Sequence, residues 1–67
     1  MNLDRELLAT LRAVVDAGTF DAAARILSVT PSAVSQRIKA LEQQLGRVLV
    51  ERTKPVRATE SGEVLLR

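Results

Sequence analysis

With 67 residues, 46% of them apolar, the chain has room for one small domain and is too hydrophobic for a disordered tail. It contains no Cys and no His, which removes disulfides, thiolate metal sites and the commonest acid–base and nucleophilic arrangements. Net charge is +2, but residues 1–28 carry three basic and four acidic side chains and residues 29–67 carry seven and four, so the positive excess lies in the second half and points to a polyanion.

No apolar run is long enough to cross a bilayer, and the N-terminal MNLDRELL is acidic and periodic, unlike a signal peptide. The absence of Cys agrees with a reducing cytosol, so a cytoplasmic, nucleoid-associated protein is expected. Phe20 is the one aromatic residue. Single-strand binders stack bases on aromatic platforms, so duplex DNA is the better match.

The first helix is predicted from Leu3 to about Ala17. Asn2 can cap it, and Asp4 and Glu6 suit its positive end. Leu7, Leu8, Leu11, Val14 and Val15 form an apolar stripe at helical spacing, and Gly18 follows as a left-handed C-terminal residue. A second, short helix is predicted over Phe20–Leu27, capped by Thr19 with Asp21 in its first turn. Its Ala22, Ala23 and Ala24 keep it slim enough for another helix to approach closely. Ser28, Val29 and Thr30 make a three-residue turn.

The third helix starts with Thr30 as N-cap and Pro31 at the first helical position, where a missing N–H costs nothing. Val29 and Val34 can staple its entry, and Gly46 ends it. At 100 degrees per residue, Val34, Ile38, Leu41 and Leu45 share one face. Ser32, Gln36, Lys39 and Gln43 share the opposite face, flanked by Ser35 and Arg37. After Gly46 the period changes. Val48, Leu49 and Val50 predict a short strand, Thr53, Lys54 and Pro55 a turn, and Val56, Arg57 and Ala58 a second strand pairing back. Thr59 then caps a fourth helix, with Glu60 in its first turn. That helix carries Val64, Leu65 and Leu66 and stops inside an apolar pattern, so the chain reads as a fragment.

The fold class expected is mainly α: a winged helix-turn-helix with a three-helix core, a short two-stranded wing and the start of a fourth helix. Residues 1–58 would form the domain and residues 59–67 the start of the fourth helix. The stretch DAAARILSVTPSAVSQRIKALEQQLG, residues 21–46, carries the helix-turn-helix. A helix entering a major groove needs donors and acceptors near its N-terminus and no bulk that blocks approach. Ser32, Ser35 and Gln36 meet that need. Gln bonds adenine bidentately, and Ser reads either base type or a phosphate. The helix N-terminus and the Thr30 hydroxyl can hold a phosphate oxygen, and Lys39 suits backbone charge. In the hairpin, Arg47, Arg52, Lys54 and Arg57 stand against one acid, Glu51. Arg52, Lys54 and Arg57 near the tip can grip phosphates or reach the adjacent minor groove. Charges on edge strands also prevent aggregation, and a polar outer helix face can simply be solvated.

Nothing in the chain assembles for catalysis, so no enzyme is expected, and no cofactor or metal is called for. Gly18, Gly46 and Gly62 lie singly near helix boundaries and form no phosphate-binding loop.

The residues GTFDAAARILSVTPSAVSQRIKALEQQLG (18–46) and VLVERTKPVRATESG (48–62) resemble the N-terminal domain of the LysR-type bacterial transcriptional regulators. The similarity spans nearly the whole chain. It implies a winged helix-turn-helix that reads promoter DNA of dyad symmetry, with the recognition helix 31–45 in the major groove and the wing 49–58 on the backbone or minor groove. Carried over by position, it implies contacts from Thr30, Pro31, Ser32, Ser35, Gln36 and Lys39, and from Arg52 and its neighbours Thr53, Lys54 and Arg57. Many members have Gln-Pro where this chain has Pro31-Ser32. The resemblance also implies that the fourth helix is a linker pairing subunits in a homodimer or tetramer, and that a larger effector-binding domain follows. The short wing and VTPSAVSQRIKALEQQ are similar to the branch controlling lysine and arginine export, which implies lysine or arginine as effector. A protein-interaction module on the same three-helix core is the alternative.

Overall fold

The computed structural model describes residues 4–67. Four helices and one two-stranded antiparallel sheet follow in the order α1 (Arg5–Ala17), α2 (Phe20–Leu27), α3 (Pro31–Leu45), β1 (Val50–Glu51), β2 (Arg57–Ala58) and α4 (Glu60–Leu66). Each helix begins on an extended residue whose side-chain oxygen takes a free N–H of the first turn. Thr19, Thr30 and Thr59 accept from Ala22, Ala33 and Gly62 at 3.0–3.1 Å. At α1 the cap is Asp4, which accepts from the Glu6 N–H at 2.8 Å. The helix therefore starts at Arg5, later than the expected Leu3; Leu3 and the expected cap Asn2 lie outside the described residues. A carboxylate at the N-cap also meets the helix dipole, which a neutral Asn would not.

The helices stop where the chain turns left-handed. Gly18 has φ +82° and its N–H donates to the Val14 carbonyl at 2.9 Å. Ser28, with φ +58°, ends α2, and the Val29 N–H closes the turn on the Ala24 carbonyl at 3.0 Å. Ser28, Val29 and Thr30 form the expected three-residue connection to α3.

One core joins the three helices to the wing. Leu11 and Val14 of α1, Ala23 and Ala24 of α2, and Val34, Ile38 and Leu41 of α3 are buried together with Leu49, Val50 and Val56. Ala23 and Ala24 contribute little volume, so α1 and α3 close over α2 at short range. Leu7, Val15, Val29, Leu45, Leu65 and Leu66 pack against this cluster while partly exposed. Val64 is 58% exposed and lies outside it.

The wing is shorter than its apolar runs suggest. Val50 pairs with Ala58 and Glu51 with Arg57. The predicted first strand began at Val48, but the backbone there has other partners. The Val48 carbonyl accepts from the Thr59 hydroxyl at 2.7 Å, and the Leu49 N–H donates to the Glu42 carboxylate at 2.9 Å. At the other end, the Val56 N–H leaves the ladder for the Gly18 carbonyl at 2.8 Å. That bond ties the returning strand to the α1–α2 turn. A helix-turn-helix with a two-stranded wing results, its fourth helix packed on the wing through buried Gly62. Gly62 had been placed merely near a helix boundary. Its role is in fact contact, because a Cβ there would overlap the Leu49 carbonyl oxygen.

Candidate nucleic-acid interface

Helix α3 has 15 residues, so it is roughly 22 Å long. Val34, Ile38 and Leu41 are fully buried, which fixes which side of the helix faces outward. Ser32, Gln36, Lys39 and Gln43 are all exposed and lie along that outward side at spacings of four, three and four residues. Ser35 is half-buried on the flank. Thr30 and Pro31 are exposed at the helix entrance. The Thr30 oxygen accepts the Ala33 N–H at 3.1 Å, which leaves its hydroxyl proton free to be donated. None of the large hydrophobic side chains that are exposed, Ile26, Val48 and Val64, belongs to α3. The outward side of α3 is thus polar, small and singly charged.

Arg37, on the other flank, is drawn away. Its guanidinium forms a salt bridge of 2.7 Å with Glu6 of α1. It braces α3 against α1.

The wing residues divide into two groups. Arg52, Thr53 and Lys54 are exposed and line a shallow groove with Thr19, Phe20 and Asp21 at the start of α2. Arg52 stacks over Phe20, its guanidinium carbon 4.7 Å from the ring centroid. The Thr53 hydroxyl donates to the Pro55 carbonyl at 2.8 Å, so it shapes the tip. Arg57 lies elsewhere. It shares a groove with Asp16, Glu51, Glu63 and Arg67 on the side of α1 and α4, opposite Glu51 in the strand register. Three acids and two arginines therefore share that groove, away from the Arg52 side of the wing.

Three participants were not visible in the sequence: Phe20 as the support of Arg52, Glu6 as the partner of Arg37, and Glu42 as the acceptor that shapes the entry to the wing. Each pairing joins separate elements, and no local spacing rule brings them together. Among the described residues, no group of His, Cys, Asp or Glu is placed to hold a metal ion, and no helix is long and apolar enough to cross a membrane.

The same arrangement recurs in known proteins. The HTH-type transcriptional regulator LysG of Mycobacterium tuberculosis is 68% identical over 65 residues, which are 97% of this chain and 22% of that protein. Full-length LysG from Corynebacterium glutamicum with bound effector Arg superposes with a TM-score of 0.92 at 55% identity, over 96% of this chain and 22% of that one. The DNA-binding domain of CbnR in its complex with DNA superposes with a TM-score of 0.89 at 34% identity, over 96% of this chain and 75% of that one. The chain spans about a fifth of the length of the curated relatives it matches. Residues 5–63 match the family described as "Bacterial regulatory helix-turn-helix protein, lysR family". The chain belongs to the LysR family of bacterial regulatory helix-turn-helix proteins.

Proposed function

We propose that this chain is the duplex-DNA reading head of a bacterial transcription regulator, with α3 in the major groove and the wing on the backbone or adjacent minor groove. The observation that carries this is the outward side of α3. An exposed file of Ser32, Gln36 and Lys39 follows a capped, proline-started N-terminus, with no bulky apolar group to obstruct a groove about 12 Å wide. Gln36 and Ser32 take base edges, Ser35 takes a base or phosphate, and Lys39 takes the backbone. Thr30 donates to a phosphate at the helix entrance, beside Pro31. Arg52, Thr53 and Lys54 hold the neighbouring strand. Arg57 is left out of this set because it lies in the other groove, away from Arg52. The likeness to the CbnR domain in its DNA complex supports DNA binding by this chain.

In the whole protein, two copies read a site of dyad symmetry, joined through the helix that begins at Glu60, because half-sites a helical turn apart need two heads. The likeness to LysG with bound effector Arg and to the lysine export transcriptional regulatory protein LysG supports lysine or arginine as the effector of a separate domain; on this reading the protein works on DNA in the cytoplasm. A protein-interaction role for α3 is disfavoured, since its outward side lacks the aromatic or aliphatic anchor such interfaces use.

Duplexes selected from a random pool by the full-length protein, titrated by fluorescence anisotropy, test this. Tight binding that falls steeply with salt is expected. No duplex binding at low salt would overturn it.

A further inference from the structure

Phe20 is the chain's single aromatic residue, and it sits at the first position of α2. It is half-buried and packs against the core, leaving a ring face outward. Over that face lies the guanidinium of Arg52, from the wing, thirty-two residues along the chain. Asp21 lines the same groove but makes no salt bridge with Arg52; among the described residues the salt bridge found is Arg37–Glu6.

We propose that Phe20 is a positioning residue for Arg52, holding its guanidinium where a DNA phosphate can take it. This rests on the DNA-reading function above. A carboxylate in the place of the ring would also restrain Arg52, but it would cancel the charge and occupy the donors that a phosphate needs. An aromatic face attracts the cation through its quadrupole and leaves the charge in place. The guanidinium N–H donors lie in its own plane, so stacking does not consume them. Restraint before binding removes a loss of rotamer freedom that the long Arg side chain would otherwise suffer on contact. The ring therefore raises affinity without touching DNA. It also fixes the wing against α2, beside the bond from the Val56 N–H to the Gly18 carbonyl.

The test uses the full-length protein and a fluorescein-labelled mixed-sequence duplex, titrated by anisotropy over a salt series. Replacing Phe20 by Leu keeps an apolar group and removes the ring. F20L is expected to weaken binding about two- to fivefold with the salt slope unchanged, since the phosphate contact survives. F20Y keeps the ring and is expected to bind like the parent. R52A is expected to weaken binding and lower the slope by about one unit. In the R52A background, F20L is expected to cost nothing further. Equal losses from F20L in both backgrounds, or F20Y behaving like F20L, would overturn the role of Phe20 while leaving DNA reading intact. Absence of duplex binding by the parent protein would sink the DNA reading itself. Proton NMR gives a readout that needs no variant to fold: the Arg52 side-chain protons are expected upfield from ring current, and ordinary shifts there would refute the stacking.

Discussion

Replacing Gly62 by Ala sets two known effects against each other. Gly62 is the third residue of α4, and Ala at a helical position is favoured over Gly by up to about 1 kcal/mol. On propensity alone, G62A stabilises. The packing says otherwise. A Cβ there would overlap the Leu49 carbonyl oxygen and come within 3.2 Å of the Leu49 carbonyl carbon and 3.3 Å of the Ala58 Cβ. The obstacle is backbone, which cannot swing aside like a side chain. Helix α4 would have to lift from the Val48–Leu49 segment that leads into β1, and two bonds cross that seam: the Thr59 N–H to the Leu49 carbonyl at 3.0 Å and the Thr59 hydroxyl to the Val48 carbonyl at 2.7 Å. Overpacking costs about 1–3 kcal/mol, and each weakened bond adds about 1 kcal/mol. Net of propensity, G62A is expected to destabilise by roughly 2–4 kcal/mol. A domain of this size has a total stability of roughly 3–10 kcal/mol. The midpoint should then fall by on the order of 10–30 °C. Thermal and urea unfolding followed by circular dichroism measure this, with exposed Glu63→Ala as the control on the same helix. A G62A midpoint at or above the parent's would refute the argument and leave propensity as the larger effect.

Three further outcomes are expected. Thr30→Ala removes the oxygen that accepts the Ala33 N–H and should cost about 1 kcal/mol in urea unfolding, with Thr30→Ser restoring most of it. Gln36→Ala, on an exposed position, should leave unfolding unchanged yet cost about 1–3 kcal/mol of discrimination at one base pair, seen as a flattened preference in selected sequences. The Arg37–Glu6 pair is exposed on the Glu6 side, so a double-mutant cycle with Arg37→Gln and Glu6→Gln should give a coupling of about 0–1 kcal/mol that shrinks as salt is added.

The helical core was legible because its signals are local. Thr19, Thr30 and Thr59 each stand immediately before an apolar period, and their capping bonds span only three residues. Gly18 and Gly46 mark the ends they were expected to mark, and the division of α3 into a buried file and a polar file follows from 100 degrees per residue. The wing was legible only in outline. Val48 to Val50 read as a continuous strand by composition, but the hydrogen bonds of Val48 and Leu49 are set by Thr59 and Glu42, which a β propensity cannot register. Site geometry followed the same division. Ser32, Gln36 and Lys39 sit on one element and appear together by spacing. Arg52 and Arg57, five residues apart and alike in type, are separated by the wing into a groove against Phe20 and a groove shared with Asp16, Glu51, Glu63 and Arg67. Which face of a two-residue strand pair meets which helix is a tertiary fact.

The attachments of the wing predict how a disturbance would spread. The wing is held to the α1–α2 turn by the Val56 N–H bond to Gly18 and by the stacking of Arg52 on Phe20. Helix α3 is held to the same helices by Val34, Ile38 and Leu41 in the core. Helix α4, by contrast, meets the segment leading into β1 through Gly62 and Thr59, and meets α1 through the Arg12 guanidinium, which donates to the Leu66 carbonyl. A displacement of α4 therefore reaches the wing and the Arg12 side of α1 first, and reaches the buried file of α3 only by repacking the core, which close-packed interiors resist. On the proposed reading, wing contacts go to the backbone and carry no sequence information, whereas α3 contacts base edges. It follows that G62A, studied below its unfolding range, should lose affinity for selected and mixed-sequence duplexes by about the same factor. A loss confined to the selected sequence would mean that α4 acts on α3 directly, and that the core is a softer link than its packing implies.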